Sequence, residues 1–290
     1  MFHETKLTPS WGTLLERRDD VRITALPRAE LVDRFKSAGA VLFRGFDVGE
    51  DEFQAFSEMY GRTFVGNLHA GAHREMVADQ GRTSTVNLGN NLVGHHCEMS
   101  YSPLRPELLW FHCVKPAAKG GETFLADGIE LWARIDPELQ RRFSEQRIVY
   151  EFPRAGADVW PVYTGGSHDA TETARRLATM PEIRHRLHDD GTIDIECLLS
   201  AVRPGRWRDE PAFVNSLIVH MNGQVRFEDG SPISQDMKWQ LLAAAQAVTT
   251  SIRWRAGDVL FVDNTRMMHG RMPFADRTRR IHVRMSHADF

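Results

Sequence analysis

The stretch Gly94-His95-His96-Cys97-Glu98-Met99-Ser100-Tyr101 constrains this chain most. It sets a histidine and a carboxylate two residues apart, and in an extended strand residues i and i+2 point to one face. His96 and Glu98 can then aim at one point while Cys97 faces away. Two ligands on one strand are half of a metal site, so the fold must bring a third from elsewhere. The segment Asp263-Asn264-Thr265-Arg266-Met267-Met268-His269-Gly270 offers His269. Two histidines and a carboxylate on one side of an ion leave the opposite side open. That arrangement suits non-heme Fe(II), whose open positions take a cosubstrate and dioxygen.

A lone H-x-E arises by chance in many proteins, and a single strand histidine is more often packed or solvated than a ligand. Three further features favour the metal reading. Gly120-Gly121-Glu122-Thr123 follows the H-x-E, Arg280 lies eleven residues beyond His269, and Arg284 lies four beyond that. An iron oxygenase that uses a 2-oxo acid needs a cation for the far carboxylate of that acid, and a guanidinium binds a carboxylate bidentately. The Thr123 hydroxyl can add a neutral hydrogen bond.

The segment HHCEMSYSPLRPELLWFHCVKPAAKGGETFLAD, from His95 to Asp127, resembles the Fe(II)/2-oxoglutarate-dependent oxygenases of the taurine dioxygenase (TauD/TfdA-like) superfamily. Glu98 in place of aspartate makes it more similar to the clavaminate synthase-like branch and its amino-acid hydroxylases. Gly257 to Met285, GDVLFVDNTRMMHGRMPFADRTRRIHVRM, matches the same family, as does Gly39-Ala40-Val41-Leu42-Phe43-Arg44-Gly45-Phe46. The three landmarks occur in the family's order.

Hydrophobic content of 42% and charged content of 26% are ordinary for a globular chain. A net charge of -3 gives no electrostatic reason to expect nucleic acid or an anionic membrane as partner. No apolar run is long enough to span a bilayer, and Met1 to Asp20 lacks a basic-then-apolar leader. Three cysteines without a framework spacing suggest free thiols in a reducing cytoplasm. Cys97 is read as a packed thiol.

Residues 1 to 28 read as a polar arm. Leu31, Val32 and Phe35 fall at helical spacing, as do Phe53, Phe56 and Met59. Ala40 to Phe46 and Leu108 to Val114 read as buried strands, and Asp127 as a helix N-cap. His69 and His73 read as a loop within reach of the active site, with a solvated loop the favoured reading for each histidine. Ala212 to His220 is expected as a strand with Phe213, Ser216 and His220 inward. Ser234 to Ala247 is expected as a helix. Thr249 to Trp254, Asp258 to Asp263 and Arg279 to Ser286 read as the last strands. In the last, Arg280, His282, Arg284 and Ser286 share one face, which either lines an anion-filled pocket or is solvated with Ile281, Val283 and Met285 on the core side. Residues 150 to 210 read as a lid or substrate wall.

No repeat, low-complexity run or linker divides the chain, so residues 1 to 290 are expected as one domain, mainly β with flanking helices (α+β). Periodicity does not separate a sandwich from a jelly roll. The resemblance implies a double-stranded β-helix, the cupin-like jelly roll. It also implies that His96, Glu98 and His269 hold Fe(II), that Arg280 and Thr123 take the distal carboxylate of 2-oxoglutarate, and that dioxygen is the second cosubstrate. Succinate and carbon dioxide are released as an unactivated C–H is oxidised. The family's halogenases lack the carboxylate ligand, so Glu98 implies oxygenation, with desaturation or cyclisation as variants. Arg284 is expected to meet the acidic group of the substrate, with Asn91 as a further contact. The expected substrate is an amino acid or related carboxylic acid of specialised metabolism, free or carried by a carrier protein. A zinc hydrolase using the same ligands and a catalytically silent binding protein are the rival readings.

Overall fold

Alternation along the strands builds the molecule, because each central strand buries both faces. The computed structural model describes residues 1–66, 74–78, 82–219 and 225–290. The chain opens with β1 (Phe2–Lys6), β2 (Thr13–Arg17), α1 (Arg28–Ala38), β3 (Ala40–Arg44), α2 (Glu50–Glu58) and β4 (Gly61–Phe64). Next come β5 (Met76–Ala78), β6 (Thr83–Thr85), β7 (Val93–His96), β8 (Leu108–Lys115) and β9 (Thr123–Asp127). The middle holds α3 (Gly128–Arg134), α4 (Pro137–Glu145), β10 (Ile148–Ala155), α5 (Pro161–Thr164), α6 (Ala170–Leu177), β11 (Ile183–Leu187), β12 (Ile193–Leu199), β13 (Val202–Pro204), β14 (Pro211–Phe213) and β15 (Val225–Phe227). The chain closes with α7 (Gln235–Ala247), β16 (Thr249–Ile252), β17 (Val259–Asp263), β18 (Met267–Arg271) and β19 (Arg280–Ala288).

The larger sheet runs β1-β2-β3-β17-β8-β19-β6-β5, with β4 also on β19; the smaller runs β16-β9-β18-β7. Together they form a double-stranded β-helix. Leu42, Leu109, Phe111, Leu125, Ile252, Leu260, Val262, Ile281 and Val283 fill the space between them. The opposite face of the larger sheet, with Phe43, Trp110 and Phe261, packs on Phe35, Phe53 and Phe56 of α1 and α2. Phe261 stacks between Trp110 and Phe35 at centroid distances of 3.6 and 3.8 Å. Each such ring contributes roughly 1.5–3 kcal/mol by burial. Asp127 caps α3, as expected, by accepting a hydrogen bond from Ile129 N.

Two expectations are corrected. Residues 1 to 28 are not a polar arm: β1 and β2 extend the larger sheet, and Trp11, Leu15 and Ile23 are fully buried. Periodicity in so short a strand is masked by its charged exposed positions. Ala212 to His220 is not one strand, because β14 ends at Phe213. Asn215 turns the chain by donating to Ala201 O and accepting from Leu217 N, a local bonding habit that competes with strand pairing. His69, His73 and His220 lie outside the described residues.

The 150–210 region carries β11, β12 and most of β10 in an antiparallel sheet of order β11-β12-β10-β15, so that β12 lies between the other two. Tyr150, Ile183, Ile193, Ile195 and Cys197 join one apolar cluster with Cys97, Ala126 and Met268. No helix of the described residues is long and apolar enough to cross a membrane.

Candidate active site

Pairing of β18 with β7 sets His269 directly opposite His96. One ligand atom from each of His96, Glu98 and His269 lies within 4.8 Å of the others. Both imidazole Nε2 atoms approach Glu98 Oε2, at 4.0 Å from His96 and 3.9 Å from His269. These separations are too long for hydrogen bonds. Three donors that converge without bonding one another fit a shared cation. His96 Nδ1 lies 2.8 Å from Gly94 O, a bond that leaves Nε2 free for a metal. Burial, foremost, pushes the His269 pKa well below its ordinary value and keeps the ring in the neutral, ligating form.

Glu98 reaches this point by a turn rather than by strand alternation. β7 ends at His96, and Met99 takes a left-handed φ of 52°. Asn264 holds the turn: its Oδ1 accepts from Glu98 N at 2.9 Å, and its Nδ2 donates to Glu98 O and Pro106 O at 3.0 and 2.7 Å. Cys97 is fully buried on the other side, its thiol donating to Met267 O, and burial pushes its pKa up to about 11. It is a packed thiol.

Arg74 is a residue that sequence reading missed. Its Nη2 donates to both Glu98 oxygens, at 3.0 and 3.2 Å. No motif marks it; only folding brings it to the H-x-E.

A cavity of about 440 Å³ opens on this centre, lined by Arg74, Asn87, Phe111, Thr123, Arg271 and Arg279 beside the three ligands. Thr123 is where the sequence expectation put it; its hydroxyl also accepts from Trp254 Nε1 at 3.1 Å. The arginine of β19's approach that lines this cavity with it is Arg279, not Arg280. Arg279, Ile281, Val283 and Met285 face inward, and the alternate set faces outward. Arg280 is 44% exposed and pairs with Glu75. Arg284 is fully buried, but under Phe64 and against Glu58 at 2.9 Å, on the helix side of the sheet. Ile281, Val283 and Met285 thus lie on the core side, as the second alternative had it, but on the outward face Arg280 alone is solvated, while His282, Arg284 and Ser286 are buried. Asn91 is exposed and offers only its carbonyl, to Arg271; Asn87 is the asparagine that lines the cavity. A slip of one residue in register exchanges the two faces of a strand, and spacing counted from His269 cannot see it.

Arg279 Nε donates to Gly121 O at 3.0 Å, and neither Arg279 nor Arg271 forms an ion pair among the described residues. Burial, then the neighbouring Arg271, pushes the Arg279 pKa down to about 10. A buried guanidinium without an ion pair, in a cavity that also holds a hydroxyl, fits a carboxylate ligand. Gly121 makes room for it: its φ is +70°, and a Cβ there would meet Arg279 Cδ and Nε at 2.9 Å.

This centre, on a double-stranded β-helix, defines a non-heme Fe(II)- and 2-oxoglutarate-dependent dioxygenase, with dioxygen as the second cosubstrate. The chain belongs to the taurine catabolism dioxygenase TauD, TfdA family, whose model matches residues 4–286. It is 26% identical over 256 residues to a clavaminate synthase-like protein of Arabidopsis thaliana, covering 81% of this chain and 77% of that one. It is 26% identical over 264 residues to the dapdiamide synthesis protein DdaC of Enterobacter agglomerans, covering 80% and 78%. Among solved structures, PvcB of Pseudomonas aeruginosa superposes with a TM-score of 0.61 at 18% identity, covering 99% of this chain and 91% of that one. PvcB is described as an Fe, alpha-ketoglutarate dependent oxygenase from an isonitrile synthetic pathway.

Proposed function

We propose that this enzyme oxidises an unactivated C–H of a small amino acid or related carboxylic acid in specialised metabolism, most simply by hydroxylation, with release of succinate and carbon dioxide. The observation that carries the reading is the convergence of His96, Glu98 and His269 on one point, in the cavity that also holds Thr123 and the unneutralised Arg279. The dapdiamide relative and the isonitrile-pathway neighbour support the metabolic setting.

His96, Glu98 and His269 would hold iron, which with its cosubstrates supplies the oxidising chemistry. Asn264 and Arg74 orient the Glu98 carboxylate. Arg279 and Thr123 bind the distal carboxylate of 2-oxoglutarate. Phe111, whose ring lies 5.5 Å from that of His269, screens the centre from water. With Arg284 turned away, the acidic group of the substrate meets Arg271, which lines the same cavity and is held there by the carbonyls of Asn87 and Asn91 at 2.5 and 2.8 Å.

The test is anaerobic titration of the apo-protein with Fe(II) and 2-oxoglutarate, read by the weak visible charge-transfer band of the chelate. The band is expected in the wild type and absent in His269→Ala. Candidate acids are then screened by their perturbation of the band. Iron binding without any band would overturn the cosubstrate assignment.

A further inference from the structure

Away from the metal centre a second cavity, of about 840 Å³, opens between the turn around residues 102–107 and β13. Its walls include Arg105, Arg203 and Arg206, with Glu107 and Glu182. Arg206 is neutralised by an ion pair with Glu107. The other two arginines form no ion pair among the described residues. Arg105 donates one Nη2 bond to the carbonyl of Asn264, and its Nε is buried without a partner. Arg203 makes no side-chain hydrogen bond or ion pair among the described residues, and its Nε is likewise buried. Glu182 pairs with neither. Asp263, which feels the charge of Arg105 through space, spends Oδ1 on the Thr265 amide and hydroxyl and forms no ion pair with Arg105.

Burying a guanidinium without a partner is unfavourable, and two of them on one cavity repel. Burial and then the field of Arg105 push the Arg203 pKa down to about 10. Both residues nevertheless line one solvent-connected space, and a guanidinium can hold an oxyanion there by charge-assisted hydrogen bonds. With Arg206 matched by Glu107, Arg105 and Arg203 against Glu182 leave the walls one net positive charge, and each of the two guanidiniums still lacks an ion-pair partner among the described residues, which a dianion can supply to both. We propose that this cavity is a binding site for a small dianionic oxyanion, phosphate or a dicarboxylate, held between Arg105 and Arg203. The site is separate from the cosubstrate pocket, which Arg279 serves.

The test is isothermal titration of the full-length protein with inorganic phosphate and, separately, with succinate, at constant ionic strength in chloride. Acetate serves as the monoanion control. One saturable site is expected for at least one dianion, whichever it is naming the source, with acetate much weaker. Arg203→Gln is expected to weaken that site about tenfold or more, the loss of one charge-assisted contact. Arg105→Gln supplies the same reading should Arg203→Gln fold poorly. Arg279→Gln, which disables the other anion-binding pocket, is expected to leave the site intact. No saturable binding, binding that survives both Arg203→Gln and Arg105→Gln, or binding lost in Arg279→Gln would each overturn the proposal.

Discussion

Arg279 and Arg280 are neighbours whose side chains leave opposite faces of one strand, and that difference separates a cavity residue from an exposed one. Arg279→Gln is expected to raise the KM for 2-oxoglutarate about 10–100-fold, the worth of a charge-assisted contact in a buried site. Arg280→Gln should leave it unchanged. Titration of the charge-transfer band in both variants checks the pair, and equal losses would defeat the role given to Arg279. Arg284→Met should lower Tm through its lost contact with Glu58 and Phe64, with no effect on 2-oxoglutarate affinity. The candidate metal ligands were legible because H-x-E and a distant histidine form a pattern of residue types, and the fold brings the three together. Arg74 was not, because an arginine in a polar stretch carries no signal until the fold sets it against Glu98.

At the scale of elements, the connection between β17 and β18 carries much of the site. Asn264 makes three hydrogen bonds across to the Glu98 turn and Pro106. Asn264→Ala is expected to weaken Fe(II) binding about 10–100-fold, as loss of an outer support of a metal ligand does. Direct metal titration checks it, and unchanged affinity would show that the turn holds Glu98 unaided. Two residues on, Arg266 binds Asp127 with Nε at 3.1 Å and Nη2 at 2.5 Å, both side chains buried. Arg266→Met leaves that carboxylate buried and unpaired, so about 3–5 kcal/mol of stability should be lost. Denaturant unfolding measures this directly. The central strands were legible from their apolar runs. β1, β2 and the turn after β14 were not, because short strands and local asparagine bonding override so weak a periodicity.

For the whole molecule, buried histidines set the acid limit of the apo-protein. Burial, foremost, pushes His95 and His282 down to about 4, and also lowers His112 and His269. Between roughly pH 6.5 and pH 4 the unfolded chain binds protons that these folded rings refuse. Stability is therefore present above pH 6.5 and falls as the solution is acidified, by on the order of 3 kcal/mol for a ring shifted as far as His95. Asp263, raised to about 6 by burial, acts in the opposite sense. It contributes stability below its ordinary range and loses it as pH rises towards 6. Four histidines outweigh one aspartate, so Tm of the apo-protein is expected to climb from pH 5 to pH 7. A flat or falling profile would contradict the burial of these rings. Fe(II) should add further stability that a chelator removes, since it binds the folded state alone.

The sequence by itself determined the class of enzyme, through the order of its family landmarks, among them the candidate ligands His96, Glu98 and His269, and through the apolar strands around them. Only the tertiary structure decided which side of β19 meets the cavity, and so that Arg279 rather than Arg280 lines it with Thr123. The physical reason is that local composition dictates what a side chain can do. The face of the sheet on which it does so is set by strand pairing, and a shift of one residue in a period of two reverses it.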